Sequence, residues 1–330
     1  MKRMNTILAA VLAAQLLLAG ALLWNSQRYA LAEPGQPLLV FEPEKVDRIV
    51  IDTPEEGSIT LQKDAQGWHL PSRDGFAAAE SKVDGFLAAL RDLNPRLPVA
   101  ITENAMQRFQ VGAEHFERRI TLKHGEDTLT TLYLGESAGP SRVYARPEND
   151  EAIYEIPFGL WQASTEPTHW MARNLLHQPP RDIVRIDLPS FTLQRKDDKW
   201  RLVGLNAGAA TNEDEAARIV QRLANLTFED VKGKVEESAS APAPELSYTL
   251  TFKNGDSVKY RFSKAGQGDA YLLTTSTNDY IFKVSKETVD AIHDFKRDAL
   301  VKKASDEKGD KSAPTGSANR SGADKAKSHS

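Results

Sequence analysis

Thr60-Leu61-Gln62-Lys63 leads, after a short turn, to Trp68-His69-Leu70. Thr192-Leu193-Gln194-Arg195 leads in the same way to Trp200-Arg201-Leu202. The step from Thr to Trp is eight residues in both stretches. A pattern that recurs at a fixed distance calls for a search for an internal repeat before anything else is decided. Upstream, Val46-Asp47-Arg48-Ile49-Val50-Ile51-Asp52 finds its counterpart in Asp182-Ile183-Val184-Arg185-Ile186-Asp187. The Ile-Asp pairs lie 135 residues apart and the Thr-Leu-Gln stretches 132, as a turn three residues shorter would produce.

Downstream, each copy carries a helix signal. Ser81 with Asp84, and Asn212 with Glu215, fit a capping residue followed three positions later by a carboxylate. Val83, Phe86, Leu87, Leu90 and Leu93 follow at the spacing of one helical face. Ala216, Ile219, Val220, Leu223 and Leu226 repeat that face at a constant offset of 133. Thr121–Glu126 and Thr251–Asp256 each hold an X-Gly turn between alternating runs, a hairpin signal. Ile153-Tyr154-Glu155-Ile156 matches Ile281-Phe282-Lys283-Val284. Six matched elements in one order predict a duplicated α+β module, each copy a mainly antiparallel sheet with a packed helix.

The expected boundaries are a tether at 33–43, module 1 at 44–176, module 2 at 181–301 and a tail at 302–330. In module 1, strands are predicted near 46–52, 58–63, 67–70, 118–124, 128–134, 142–146 and 151–156, with a helix over 82–93. Leu38-Leu39-Val40-Phe41 reads either as an edge strand or as more linker. A short helix near Glu103–Phe109 has no counterpart in module 2, where a Ser/Ala/Pro stretch between Glu236 and Glu245 reads as a flexible loop. Pro179-Pro180 punctuates the boundary between modules. Phe158, Trp161 and Trp170 close module 1 as a packed turn or helix, ligand stacking being the alternative. The tail lacks Val, Ile, Leu and aromatics beyond Val301 and is too polar to fold by itself.

The first 32 residues carry the address. Lys2 and Arg3 precede an uncharged run from Thr6 to Trp24, 19 residues long. At about 1.5 Å per residue this approaches a bilayer's hydrocarbon thickness. The basic start keeps that end cytoplasmic, which places the bulk of the chain in the periplasm of a bacterium, behind a single-pass inner-membrane helix. The alternative is a signal peptide cleaved at Ala30-Leu31-Ala32. The net charge of -4 gives no pull toward nucleic acid. The absence of cysteine rules out disulfides, thiol chemistry and a lipoprotein anchor.

No motif for chemistry emerges. His69, His115, His124, His169, His177, His293 and His329 form no metal-ligand spacing, and nucleophile-elbow, Walker and dinucleotide patterns are missing. Arg48 and Arg185 sit on the first strands at unaligned positions, which argues against a shared anion site. The residues singled out are therefore structural. Trp68 and Trp200, Leu61 and Leu193, and Leu90 and Leu223 are expected to anchor the two cores, a doubled binding platform being the other use of the tryptophans. No catalytic residue, cofactor or metal is assigned.

Gly67-Trp68, the stretch Ala79-Glu80-Ser81-Lys82-Val83 leading into Phe86-Leu87-Ala88-Ala89-Leu90, and Thr121-Leu122 resemble a bacterial family, the domain of unknown function 4340 (DUF 4340). The likeness extends over most of 44–301, and module 2 departs from it by lacking the 103–109 helix. Members are commonly encoded beside gliding-motility-type ABC transporter genes. The resemblance therefore implies an envelope accessory to such a transporter and implies no activity. The reading is a membrane-anchored, periplasmic, non-enzymatic binding or assembly module. Its rivals are an envelope glycan hydrolase, which needs two carboxylates about 5–10 Å apart in a cleft, and a purely structural spacer.

Overall fold

A computed structural model describes residues 36–302, apart from 56, 96, 236–242 and 267–268, together with Gln15. The N-terminal apolar run, most of the Ser/Ala/Pro loop and the tail beyond Lys302 lie outside the described residues. Among those described, no helix is long and apolar enough to cross a membrane.

Module 1 holds β1 (Arg48–Thr53), β2 (Gly57–Asp64), β3 (Gly67–Leu70) and β4 (Phe76–Ala77), then the helices α1 (Glu80–Arg91) and α2 (Glu103–Arg108). It continues through β5 (Arg118–His124), β6 (Asp127–Gly139), β7 (Arg142–Pro147) and β8 (Tyr154–Ile156) to the single-turn α3 (Pro167–Trp170). The strands pair in the order β4-β3-β2-β1-β5-β6-β7-β8, antiparallel at every step. Alternation does what the sequence predicts. Ile49, Ile51, Ile59 and Leu61 point into the core while their neighbours do not. On α1, Val83, Phe86, Leu87 and Leu90 are buried.

Module 2 holds β9 (Ile183–Asp187), β10 (Thr192–Lys196), β11 (Lys199–Leu202), β12 (Ala210–Thr211), α4 (Glu213–Ala224) and β13 (Asp230–Lys234). It continues through β14 (Leu246–Phe252), β15 (Ser257–Lys264), β16 (Ala270–Thr275), β17 (Tyr280–Ser285), α5 (Lys286–His293) and β18 (Val301–Lys302). Its main sheet runs β11-β10-β9-β14-β15-β16-β17-β13. Seven strands thus keep the order of module 1. The remaining pieces match too. Ala100 bridges Ile153 in module 1 where Gly233 pairs with Ile281 in module 2. Ala78 bridges Met171 where Thr211 pairs with Val301. Each module is therefore closed by its own last segment pairing with the entry to its long helix.

Two expected boundaries are corrected, and two further points are decided. Helix α1 starts at Glu80 behind Ala79, with no side-chain cap, so Ser81 is inside the helix; in α4, Asn212 does cap, accepting the Glu215 N–H. Leu38–Phe41 is not a strand, and it is docked rather than free. Leu39 is buried, and the Leu38 N–H donates to Leu93 O at 2.7 Å. The last strand of module 1 is shorter than predicted, since only Tyr154–Ile156 joins the ladder. The two arginines share a position relative to the second strand, Arg48 facing Gln62 and Arg185 facing Gln194, but remain unaligned relative to the next, where Arg48 faces Lys123 and Arg185 faces Thr251, the counterpart of Thr121. Ile186 nonetheless pairs with Leu250 as Ile51 pairs with Ile120. The shorter turn has slid the β9/β10 hairpin by two residues, and a slip of two leaves every side chain on its original face. Each arginine has its own carboxylate, Glu126 for Arg48 and Asp187 for Arg185.

Gly67 shows why that stretch of module 1 reads as it does. The Trp68 N–H donates to Glu80 Oε1 at 3.0 Å, and a Cβ on Gly67 would lie 2.1 Å from that oxygen. Gly67 also sits at φ +110°, where side chains are strained. In module 2 its place is taken by Lys199, and Glu213 lies 3.8 Å from that ammonium and 3.7 Å from the Arg201 guanidinium. Gly67→Ala is expected to destabilise by about 1–3 kcal/mol in urea unfolding. Adding Glu80→Ala should recover part of that loss; strictly additive effects would show that the two residues are not coupled.

Candidate functional site: the junction between the modules

The connection from β3 to β4 forms a single 3-10 turn at Pro71–Arg73, followed by Asp74 in the left-handed region at φ 52°. This tight reversal projects its residues onto the outer edge of module 2, formed by β13 and β17. The Phe76 ring, fully buried, meets Tyr280 at 4.9 Å, Phe228 at 5.7 Å and Phe282 at 6.1 Å, all edge-to-face. Around this aromatic centre lies a polar rim. Arg73 Nε donates to Asp230 Oδ1 at 3.4 Å, the Tyr280 hydroxyl donates to Asp74 O, and the Arg173 guanidinium donates to Phe228 O. The linker is fastened as well, the Gln178 N–H donating to Ala224 O at 2.8 Å. One buried cluster runs through both modules, from Leu39 to Leu300.

Asp230 is the electrostatic hub of the rim. Burial alone would raise its carboxyl, but Lys232 at 3.0 Å, the Val231 N–H and Arg73 together hold it below the usual carboxylate range. Beside it a cleft of about 190 Å³ is lined by Ser72, Arg73, Asp74, Asp230, Lys232 and Gly233. Asp230 takes both cations of the cleft, Arg73 from module 1 and Lys232 from module 2, an arrangement that ties the two surfaces together.

Two larger clefts lie elsewhere. One, of about 680 Å³, opens beside the linker between Gln178, Pro179, Asp182, Phe252, Lys253 and Val258. The other, of about 530 Å³, exists because module 1 carries α2, and it is lined by Glu55, Gln107, Gln110, Glu114, His115 and Glu117. The α2 segment is pinned to the sheet by Arg146. The buried Arg146 guanidinium donates to Val111 O at 2.8 Å and to the carbonyls of Pro147, Glu148 and Asp150, and it lies 4.8 Å from the Tyr133 ring centre. Among the described residues, no group of three or more histidine or acidic side chains is placed to hold a metal ion.

The residues singled out from the sequence line none of these three clefts. Leu61, Leu90, Leu193 and Leu223 are fully buried, and Trp68 is 2% exposed. Trp200 is only half-buried, packed on the margin of the core. Of the closing aromatics, Phe158 and Trp170 are buried, but Trp161 is 68% exposed, its indole folded back over Gly159. The junction residues Arg73, Phe76, Phe228, Asp230 and Tyr280 escape a search for shared motifs because they are what the copies do not share. On the repeat alignment Phe76 answers to Ala209, Phe228 to Pro95 and Tyr280 to Ala152. An aromatic in one copy facing a small residue in the other was the available signal.

No curated protein and no solved structure matches the chain. A family model described as "Domain of unknown function (DUF4340)" matches residues 68–245, from Trp68 on β3 through the junction to the residue before β14. That is more than half of the chain, and the chain belongs to the DUF4340 family.

Proposed function

We propose that the protein is a non-enzymatic binding and assembly module, held on the periplasmic side of a bacterial inner membrane by its N-terminal run. In this reading it works beside an ABC transporter of the gliding-motility type. The observation that carries the reading is the junction. Two copies of one fold are docked through a buried aromatic cluster and a polar rim, so that the two eight-stranded sheets are joined in one body. Such a body suits the presentation of surface to a partner. The membrane and the transporter rest on the Thr6–Trp24 run and on the family resemblance.

The test is crosslinking in living cells, followed by purification from membranes and mass spectrometry. The expected result is recovery of a membrane-spanning subunit of an ABC transporter, crosslinked to named residues of this chain. Crosslinking that repeatedly returns no transporter subunit would overturn the transporter assignment. Release of glycan fragments from peptidoglycan by the purified chain would establish the hydrolase instead.

A further inference from the structure

The two modules use the same edge in opposite ways. In module 2 the edge formed by β13 and β17 is covered by Phe76 and the 71–74 turn of module 1. In module 1 the corresponding edge is fixed by the Ala100–Ile153 bridge, the counterpart of Gly233–Ile281. Counting back from those bridges, Leu97 answers to Asp230 and Val99 to Lys232. Where module 2 has a carboxylate and an ammonium in an ion pair, module 1 has two aliphatic side chains, 59% and 46% exposed.

A third exposed aliphatic side chain, Val40, lies on the incoming chain. The Leu38–Leu93 hydrogen bond and the buried Leu39 fasten the incoming chain to the end of α1, and this turns Val40 outward at 84% exposure. By chain length alone, Val40 lies within about 7 Å of Leu38 and Leu97 within about 14 Å of Leu93. Both stretches thus leave from the same end of α1, Val40 two residues after the Leu38 bond and Leu97 four residues after Leu93. From Trp24 to Gln36 is twelve residues, a leash that spans at most about 40 Å.

We propose that this edge of module 1, carrying Leu97 and Val99, together with Val40 of the incoming chain, seats on the surface of the bilayer that holds the N-terminal run. The inference rests on the anchor reading stated above. Three aliphatic residues give a free protein little hold on lipid. On a leash this short, the contact becomes intramolecular, and a weak apolar contact suffices. Module 1 then lies against the membrane, and the junction points module 2 in a set direction from it.

The chain has no cysteine, so single labels are clean. Full-length Leu97→Cys, Val40→Cys and, as a distant control, Asp197→Cys are labelled with an environment-sensitive fluorophore. They are reconstituted in vesicles of phosphatidylethanolamine and phosphatidylglycerol. The expected result is blue-shifted emission at 97 and 40 that is strongly quenched when brominated lipid is included, with water-like, unquenched emission at 197. Water-like emission at 97 and 40, with the protein still retained in the vesicle pellet through a carbonate wash, would overturn the seat while leaving the anchor standing. Release by carbonate would remove the anchor and the seat together. A blue shift that brominated lipid does not quench would mean that a protein covers the edge, such as the exposed Val203–Asn206 loop of a second copy, and would also overturn the bilayer contact.

Discussion

Phe76→Ala is expected to uncouple the two modules. The ring is fully buried, yet its three aromatic neighbours Phe228, Tyr280 and Phe282 all belong to module 2. Deleting it removes the centre of the junction and leaves a cavity that flat aromatic faces cannot collapse to fill, a loss of about 3–5 kcal/mol. Among the contacts that remain are the Arg73–Asp230 pair, partly exposed, and a few hydrogen bonds to backbone. Partly exposed pairs contribute on the order of 1 kcal/mol or less. Each module keeps its own eight-stranded sheet and long helix, so unfolding should pass from one cooperative transition to two in calorimetry. NMR relaxation should show the modules tumbling more independently. A single transition at the wild-type temperature would mean that the aromatic centre is not what joins them.

Trp68→Ala and Trp200→Ala are expected to differ, although the two residues occupy one position of the repeat. Trp68 lies on β3, an interior strand because β4 pairs outside it through His69–Ala77 and Leu70–Phe76. Its truncation should cost about 3–5 kcal/mol, a large share of a typical domain's stability. In module 2 the equivalent β12 leaves the main sheet to pair with β18, which makes β11 the edge strand. Trp200 is left half-buried there. Scaled to the smaller area removed from solvent, its loss should be about 1–2 kcal/mol. Trp68→Phe should be the mildest change at its site, because the buried Trp68 Nε1 has no hydrogen-bond acceptor among the described residues. Equal midpoint shifts for the two alanine variants in urea would refute the edge-strand explanation.

What the sequence by itself determined is local and periodic. The alternation along β1 and β2, the helical faces of α1 and α4, the Asn212 cap and the turns at Gly125 and Gly255 are each specified within a dozen residues. Comparing two copies of the pattern cancelled much of the noise in reading either. The buried leucines and Trp68 were legible for the same reason, since the apolar period of an element names the face that must leave water. The start of α1 is not legible in this way, because a serine near a helix start competes with a neighbouring alanine of extended backbone, and only the path of the chain from Met171 and β4 decides between them.

Only the tertiary structure decided the rest. Strand β13 is five residues with a bulge at Gly233, too irregular to announce itself, and it exists because β17 offers it an edge. The two-residue slip of the β9/β10 hairpin follows from the length of its turn measured against its neighbours. The junction brings Arg73 to Asp230 across 157 positions and Asp74 to Tyr280 across 206. No periodicity encodes contacts at such separations. They arise where two finished surfaces meet, and the residues that make them are those in which the two copies differ. The apolar edge of Leu97 and Val99 belongs to the same class: two aliphatic residues in a loop carry no pattern of their own, and their meaning comes from the covered edge that the fold places at the same position in module 2.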